Sequence, residues 1–233
     1  MEVVINEIFY SIQGEGRLAG RPSVFVRHAG CTLRCDFCDT PYAQSPDSGT
    51  RYSLNHVVEK VRSYKCPNLV ITGGEPMANP VLERLVEMTW PLFETITIET
   101  NGTCFRQLDP RLDNVLMSIS PKFNDRQRAG YQHSFDVEPE SGLISQGTIL
   151  RLVNSYDYQL KFVVGADTDI KKIRRTVEGL GCANQRDIFL MPEAKNRREY
   201  IRASRHVVDL CLKYGYSFSP RHHIMIWDTK IGV

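Results

Sequence analysis

Two features of membrane and secreted proteins are missing from this sequence. It has no apolar run of ~18 residues, the length that a membrane-spanning helix needs, so we expect no membrane span and no membrane partner. The N-terminus carries an early glutamate, Glu2, and no basic stretch, which is not typical of a signal peptide. We therefore expect the protein in the cytoplasm.

An excess of charge of one sign is also absent. Lys and Arg total 29 and Asp and Glu total 27, which leaves a formal net charge of +2. A protein that binds nucleic acid usually shows a strong basic excess or a basic stripe, so we expect no nucleic-acid partner.

Low-complexity tracts and internal repeats are absent as well, and 42% of the 233 residues are hydrophobic. We assign residues 1–233 to a single domain. Short apolar runs alternate with longer amphipathic ones, which predicts an α/β fold with a parallel sheet. The predicted strands are 23–28, 68–72, 95–100, 114–120, 158–164, 187–191 and 223–227. The predicted helices are 54–63, 80–89, 149–156, 169–180 and 197–214. The polar stretch 121–147 is interpreted as an insertion or a flap.

Three of the seven cysteines lie close together. Three residues separate Cys31 from Cys35 and two separate Cys35 from Cys38, so one short loop can direct three thiolates to three corners of an iron–sulfur cubane. One iron would then lack a protein ligand, which is the open position that a catalytic metal site needs. The spacing predicts a [4Fe–4S] cluster held by Cys31, Cys35 and Cys38.

Two simpler interpretations of these cysteines stay open. They could form a zinc site with His28 or His56 as the fourth ligand, although structural zinc sites usually pair two ligand couples and no second couple is evident. They could also be three unrelated buried thiols. The remaining cysteines are isolated in sequence and are predicted to be small apolar core residues: Cys66, Cys104, Cys182 and Cys211.

The cysteine loop, with Phe37 before its last cysteine, resembles the signature of the radical S-adenosylmethionine (SAM) superfamily. A second segment, residues 72–76 (TGGEP), follows the next predicted strand and resembles the superfamily motif that cradles the SAM amino group. Alone it would be only a turn signal. Its place one strand after the cysteine loop makes the resemblance specific.

Further segments narrow the resemblance: residues 11–16 (SIQGEG), 25–27 (FVR), 30–31 (GC), 38–40 (CDT), 42–43 (YA), 99–103 (ETNGT), 120–122 (SPK) and 190–193 (LMPE). Together they resemble the 7-carboxy-7-deazaguanine synthase family, the radical SAM enzymes of queuosine and 7-deazapurine biosynthesis. The match runs from about residue 7 to the C-terminus, and QGEG and CDT are its most diagnostic parts.

This resemblance implies a partial, open TIM-like (β/α) barrel of the radical SAM type, with fewer helices than the full (β/α)6 core. It implies a [4Fe–4S] cluster, SAM and Mg²⁺ as cofactors, and 6-carboxy-5,6,7,8-tetrahydropterin as the small-molecule substrate. The implied enzyme is a carbon–nitrogen lyase. A 5′-deoxyadenosyl radical takes hydrogen from C6, the pyrazine ring contracts, and ammonia leaves to give 7-carboxy-7-deazaguanine. A homodimer and a flavodoxin-like or other electron donor are also implied.

The family's binding residues carry over onto the matching positions, and no catalytic side chain is implied. Thr40 is implied as a Mg²⁺ ligand. The residues implied to contact SAM are Phe37, Cys38, Asp39, Gly74, Ser120, Pro121 and Lys122, and residues 191–194 are implied to lie near the adenine. The residues implied to contact the substrate are Ile12, Gln13, Gly14, Arg27, Thr72 and Val233, the last through a terminal carboxylate.

Residue chemistry supports part of this assignment. Gly14 allows the backbone to approach a flat ring closely. Arg27 offers a planar fork for a carboxylate and is unusual in mid-strand on an inward face. The alternatives are an Arg27 that points to solvent and, for Val233, an ordinary frayed terminus.

Two other functions stay open. Another radical SAM enzyme, such as a glycyl-radical activase, shares the cysteine spacing and the short length, but QGEG and SPK argue against it. A non-catalytic iron–sulfur or zinc-binding module would leave TGGEP and the other clusters at strand ends unexplained.

Overall fold

The computed structural model describes residues 1–181 and 184–233, and the strands of these residues form one mixed sheet. The strands are β1 Glu2–Ile12, β2 Pro22–His28, β3 Thr50–Ser53, β4 Asn68–Gly73, β5 Thr95–Thr100, β6 Val115–Ile119, β7 Asp157–Val164, β8 Ile188–Pro192 and β9 Ser217–Phe218. They lie in the order β3-β1-β2-β4-β5-β6-β7-β8-β9. The pairs from β2 to β9 are parallel, whereas β1 is antiparallel to both β2 and β3.

Helices connect most of the parallel strands. In the described part of the chain they are α1 Leu54–Ser63, α2 Leu82–Thr89, α3 Gln146–Ser155, α4 Ile170–Gly179, α5 Arg197–Tyr214 and α6 His222–Trp227. Residues 101–114, all of them described, join β5 to β6 without an α-helix, and the outermost strands β3 and β9 do not pair with each other. The predicted partial, open α/β barrel with a reduced set of helices is confirmed. None of the described helices is long and apolar enough to cross a membrane.

Side chains alternate along the parallel strands between two buried environments. In β7, Leu160 and Phe162 belong to the main apolar core, whereas Gln159 and Lys161 are buried on the opposite face. Successive side chains of a strand point to opposite faces, so the sheet has one apolar and one polar side. The helices cover the apolar side with core residues that include Val57, Leu85, Ile149, Ile173 and Val207. The polar side is left free to line a site.

Side-chain caps mark where two of the helices begin. Ser53 Oγ accepts a hydrogen bond from His56 N at 3.2 Å before α1, and Asn196 Oδ1 accepts one from Glu199 N at 3.0 Å before α5. Such a cap satisfies a backbone donor of the first turn and stabilises a helix by about 1 kcal/mol. These two starts agree with the predicted helices 54–63 and 197–214.

One predicted strand is wrong. Residues 223–227 lie in α6, because a short apolar run has no period that separates strand from helix. The place beside β8 is taken by β9, and α6 instead packs Ile224 against Ala194 and Tyr200. Strands β1, β3 and β9 were not predicted at all.

The isolated cysteines agree with the predicted core role where the structure describes them. Cys66 and Cys211 are buried in the main core, and Cys104 packs against it. Cys182 lies outside the described residues.

His28, the last residue of β2, should make stability depend on pH. It is fully buried with its Nδ1 2.8 Å from Asn79 Nδ2, and burial lowers its pKa to about 4. In the unfolded chain this histidine takes up a proton near pH 6.5, whereas folded His28 stays neutral down to about pH 4. Protonation therefore favours the unfolded chain between these two values. The free energy of unfolding is highest above pH 6.5 and decreases as the pH falls toward 4. We expect the full loss to be about 3 kcal/mol.

Anaerobic urea unfolding of cluster-free protein at several pH values between 7.5 and 4.5 checks this. The reference is a His28→Gln variant, which cannot titrate. The stability difference between the two proteins should shrink as the pH falls. A difference that stays constant over the range would contradict the assignment.

Candidate active site

A cavity of about 450 Å³ opens where the parallel strands end. Most of the predicted site residues line it, together with Met191: Ile12, Gln13, Gly14, Arg27, Cys31, Cys35, Phe37, Cys38, Asp39, Thr40, Thr72, Gly74, Ser120, Lys122 and Val233. Pro121 instead lines an adjoining cavity of about 70 Å³. Carboxyl ends of parallel strands are the usual place for a ligand site in α/β folds.

The three clustered cysteines share this cavity. Cys35 is buried, and Cys31 and Cys38 are half-buried. Burial raises the pKa of the Cys31 thiol to about 12 and also raises the pKa of Cys38, and nearby acidic groups add to the effect. The thiolates of Cys31 and Cys38 are therefore stable here only with a cationic partner, and an iron centre supplies that charge. The donor set fits an iron–sulfur cluster.

Gly74 brings the TGGEP segment directly against the cysteine loop. A Cβ at Gly74 would lie 1.9 Å from Gly30 O and 2.7 Å from Cys31 N, so only glycine allows this approach. Gly74 N donates to His28 O at 3.0 Å, and Glu75 N donates to Gly30 O at 2.8 Å. Two motifs that are distant in sequence thus form one continuous wall.

The buried carboxylate of Glu75 ties this wall to the end of β5. It accepts hydrogen bonds from Met77 N at 2.9 Å, Thr100 Oγ1 at 2.7 Å and Asn101 N at 2.6 Å. Burial raises the pKa of Glu75 to about 7. The three hydrogen-bond donors favour the charged carboxylate and so oppose this shift. Asn101 in turn donates from Nδ2 to Thr32 Oγ1 at 3.1 Å. The ends of β4 and β5 are therefore both fastened to the cysteine loop.

A cation, a hydroxyl and an aromatic ring lie together on the next part of the wall. Lys122 Nζ donates to Ser120 Oγ at 2.6 Å and lies 5.5 Å from the ring centre of Phe37. Arg126 lies 4.6 Å from the same ring centre. A lysine beside a hydroxyl in a half-buried site can pair with a ligand carboxylate.

A second wall of the cavity contains a network of charged side chains. Lys161 Nζ donates to Glu15 Oε2 at 2.8 Å and contacts Glu99 Oε1 at 3.4 Å. Arg221 Nε donates to Glu15 Oε1 at 3.3 Å, and its Nη2 contacts Asp39. The side chains of Lys161 and Arg221 are each only 4% exposed.

Mutual pairing keeps Glu15 and Lys161 ionised. Burial opposes charge on Glu15, yet Lys161 and Arg221 hold the pKa of Glu15 well below its usual range. Burial likewise opposes charge on Lys161, yet Glu15 and Glu99 raise the pKa of Lys161. Gln13 joins the network, since its Nε2 donates to Glu99 Oε1 at 3.3 Å and its Oε1 accepts from Glu15 N at 3.2 Å.

Arg27 points into the cavity and not to open solvent. Its guanidinium lies 5.6 Å from the ring centre of Phe9 and 3.7 Å from Glu7 Oε1. Within residues 1–181 and 184–233, its buried Nε has no hydrogen-bond partner. A buried donor without a partner is costly, so this side chain is suited to an incoming acceptor such as a carboxylate.

Comparisons with known proteins agree with this geometry. The profile of the Radical SAM superfamily matches residues 25–122. A 7-carboxy-7-deazaguanine synthase from Halobacterium salinarum is 35% identical over 240 residues, which cover 96% of this chain and 90% of that protein. Another, from Pyrobaculum aerophilum, is 32% identical and covers 99% and 97% of the two chains. The chain belongs to the 7-carboxy-7-deazaguanine synthase family.

Solved structures support the fold of this family. The crystal structure of QueE from Escherichia coli matches with a TM-score of 0.65 at 24% identity, covering 94% of this chain and 93% of that one. SuiB from Streptococcus suis, bound to SAM, matches with a TM-score of 0.55 at 14% identity, covering 81% and 47%. The superfamily profile and the similarity to the Halobacterium salinarum synthase confirm the prediction of a radical SAM enzyme with a [4Fe–4S] cluster.

Members of the 7-carboxy-7-deazaguanine synthase family also use Mg²⁺, and the cavity offers oxygen donors for it. Thr40 Oγ1 lies in the cavity and donates to Asp39 Oδ1 at 2.8 Å. Ligand atoms of Glu15, Asp39 and His223 lie within 4.8 Å of one another, but Arg221 already contacts both carboxylates. The Thr40 hydroxyl fits as one ligand, since Mg²⁺ usually keeps waters and takes further oxygens from its substrate.

Sequence reasoning missed five side chains of the charged wall. Glu15 and Glu99 lie inside the QGEG and ETNGT segments but were not assigned roles, and Arg221 and His223 lie in a stretch that was predicted partly as a strand. Lys161 could have been noticed, because a lysine within an apolar strand is rarely buried without a partner. Gly14 is predicted to let the backbone approach a flat ring, and in the structure its missing side chain also leaves room for the His223 ring. A Cβ at Gly14 would lie 2.3 Å from His223 Nδ1.

Replacing Lys161 with methionine should destabilise the protein strongly. The variant leaves Glu15 and Glu99 in the interior without their shared cation, and breaking one side of a buried ion pair costs about 3–5 kcal/mol. The free energy of urea unfolding at pH 7.5 measures the effect. Lys172→Met is the matched control, since Lys172 pairs with Asp125 near the surface and should change stability by less than about 1 kcal/mol. Equal effects of the two substitutions would refute the structural importance of the network.

Proposed function

We propose that this chain is a carbon–nitrogen lyase that converts 6-carboxy-5,6,7,8-tetrahydropterin to 7-carboxy-7-deazaguanine with loss of ammonia. The reaction belongs to queuosine and 7-deazapurine biosynthesis. The observation that carries the proposal is the pairing of two walls in one cavity. One wall holds the cysteine loop and TGGEP, and the other holds Gln13, Arg27 and the charged network.

Residues of the first wall would hold the cofactors. Cys31, Cys35 and Cys38 are the proposed cluster ligands. When bound, the cluster and SAM supply a reducing electron and a carbon radical that abstracts hydrogen from the substrate. The proposed SAM contacts are Phe37, Cys38, Asp39, the Gly74 backbone, Ser120, Pro121 and Lys122. The amine of Lys122, next to the Ser120 hydroxyl, is placed to neutralise a carboxylate.

Residues of the second wall would orient the pterin. The Gln13 side chain and the backbone of Ile12 and Gly14 are proposed to pair with the amide-like edge of the ring. Arg27 and Mg²⁺ held by Thr40 are proposed to bind the carboxylate. Val233 and, from the TGGEP segment of the first wall, Thr72 are proposed to complete the pocket. Ile12, Arg27 and Thr72 belong to strands, and Gln13 and Gly14 directly follow β1, so these groups would hold the reacting carbon in a defined position and exclude water.

The proposal extends to the organisation of the protein. We propose a single radical SAM domain over residues 1–233, since one sheet includes strands from Glu2 to Phe218. We also propose a homodimer and a flavodoxin-like or other electron donor, which the family resemblance supports. The cytoplasm is the proposed compartment, because thiols that ligate a cluster must stay reduced.

An anaerobic assay of reconstituted protein tests the function directly. It contains dithionite, SAM, Mg²⁺ and 6-carboxytetrahydropterin, and products are identified by mass. We expect 7-carboxy-7-deazaguanine. Formation of 5′-deoxyadenosine alone would support the radical SAM core but refute the substrate. Absence of both products with an intact cluster would refute the enzyme.

Replacing any one of Cys31, Cys35 and Cys38 with alanine should abolish turnover and cluster binding together. Each substitution removes a thiolate that no other side chain of the loop can replace. Iron content and product formation are measured on the same samples, and Cys66→Ala, a core cysteine, is the control that should retain both. Substantial turnover in a loop variant would contradict the assignment.

Replacing Arg27 with alanine should chiefly weaken substrate binding. A lost charge-assisted contact of about 1.5–3 kcal/mol predicts a KM roughly ten- to hundredfold higher. Arg27→Lys should recover part of the loss, because it keeps the charge but not the planar fork. Steady-state kinetics with varied pterin at saturating SAM measures this. An unchanged KM would count against the role of Arg27.

A further inference from the structure

Residues 123–145, here called the cover segment, lie between β6 and α3 and rest on the cysteine loop. Among the hydrogen bonds that join the two, Arg128 N donates to Arg34 O at 2.7 Å, Asp36 N donates to Arg126 O at 3.1 Å, and the Tyr131 hydroxyl donates to Thr32 O at 2.6 Å. Apolar residues of both parts form a small separate core: Leu33, Cys35, Phe37, Phe135, Val137 and Ile144. The sequence suggested no role for this polar stretch beyond that of an insertion or a flap.

Gln127 is the residue of the cover segment that reaches a cysteine sulfur. Its backbone forms an antiparallel bridge with Cys35. Its side-chain Oε1 accepts a hydrogen bond from Arg34 N at 3.0 Å, and its Nε2 lies 3.5 Å from Cys35 Sγ. A backbone N–H can only donate, so the amide oxygen must face Arg34 and the amide nitrogen must face the sulfur. The hydrogen bond from Arg34 N thus fixes the amide orientation in which Gln127 donates to Cys35.

Asn101 offers a weaker contact of the same kind. Its Nδ2 lies 3.8 Å from Cys31 Sγ, but the same nitrogen donates to Thr32 Oγ1 at 3.1 Å. The shorter N···S distance and the anchored amide make Gln127 the stronger donor.

We propose that Gln127 is a positioning residue that hydrogen-bonds the Cys35 thiolate and raises the reduction potential of the cluster. The proposal rests on the proposed function, in which Cys35 ligates the cluster. Reduction adds one negative charge, which spreads onto the ligand sulfurs. A fixed N–H donor to such a sulfur stabilises the reduced form more than the oxidised form, and hydrogen bonds to sulfur are an established control of cluster potentials.

An anaerobic redox titration of reconstituted protein, followed by electron paramagnetic resonance of the reduced cluster, tests this. Gln127→Met removes the donor without adding charge. At a fixed potential we expect its ratio of reduced to oxidised cluster to fall about threefold, which is about 30 mV for one electron. Gln127→Glu keeps an acceptor for Arg34 N and replaces the donor with an oxygen, so its ratio should fall further.

The control is Gln132→Glu, which makes the same charge change at an exposed position of the cover segment. Its ratio should equal that of the unmodified protein. Iron content is measured for every sample, so that potentials are compared at equal loading.

The outcomes separate this inference from the function on which it rests. Equal potentials in the unmodified protein and Gln127→Met, at full iron content, would overturn the inference alone. Loss of the cluster in both Gln127 variants would also overturn it, because Gln127 would then serve assembly and not the potential. Unmodified protein that binds no [4Fe–4S] cluster would refute the proposed function instead.

Discussion

The carboxylate of Glu75 is the contact on which the arrangement of the cavity depends. It is buried, and it accepts two backbone N–H groups and one hydroxyl from the ends of β4 and β5. Without it those donors would lack partners in the interior, at a cost of about 1–3 kcal/mol each. The cysteine loop rests on this same structure, because Gly30 O accepts from Glu75 N and lies where a side chain at Gly74 would be. The cysteine loop and the strand ends are therefore fastened together through Glu75 and Gly74.

An open sheet leaves its polar face to be covered by other parts of the chain. A closed barrel would bury that face by itself, but here β3 and β9 are separate edges. The cover segment lies over the cysteine loop, and residues 228–233 line the cavity on another side. The charges on this face persist because Lys161 and Arg221 each contact more than one carboxylate. The apolar face of the sheet needs neither a covering segment nor ion pairs, since helices cover it.

The part of the site that sequence could predict is the part formed by contiguous residues. The loop from Cys31 to Cys38 and the TGGEP turn carry their chemistry in local spacing, and both line the cavity as expected. The charged wall could not be predicted in this way, because Lys161 meets Glu15 across 146 positions and Arg221 meets it across 206. Residues 223–227 were misassigned for a related reason. A short apolar run can form either a strand or a helix, and its sequence does not decide between them. In this fold β9 already occupies the sheet position next to β8, and residues 223–227 form a helix.

Asp39 connects the two walls of the cavity. It directly follows Cys38, and its carboxylate contacts Arg221, which also donates to Glu15 Oε1 at 3.3 Å and to Ala194 O at 2.7 Å. These contacts join the cysteine loop to the wall proposed to hold the pterin. Hydrogen abstraction requires the reacting atoms to be held about 3–3.5 Å apart, so the relative position of the two walls matters more than the position of either. An arginine suits this task, because its planar fork holds several acceptors in fixed directions. By this argument α6 and the residue before it belong to the active site, although no residue of theirs needs to touch a reacting atom.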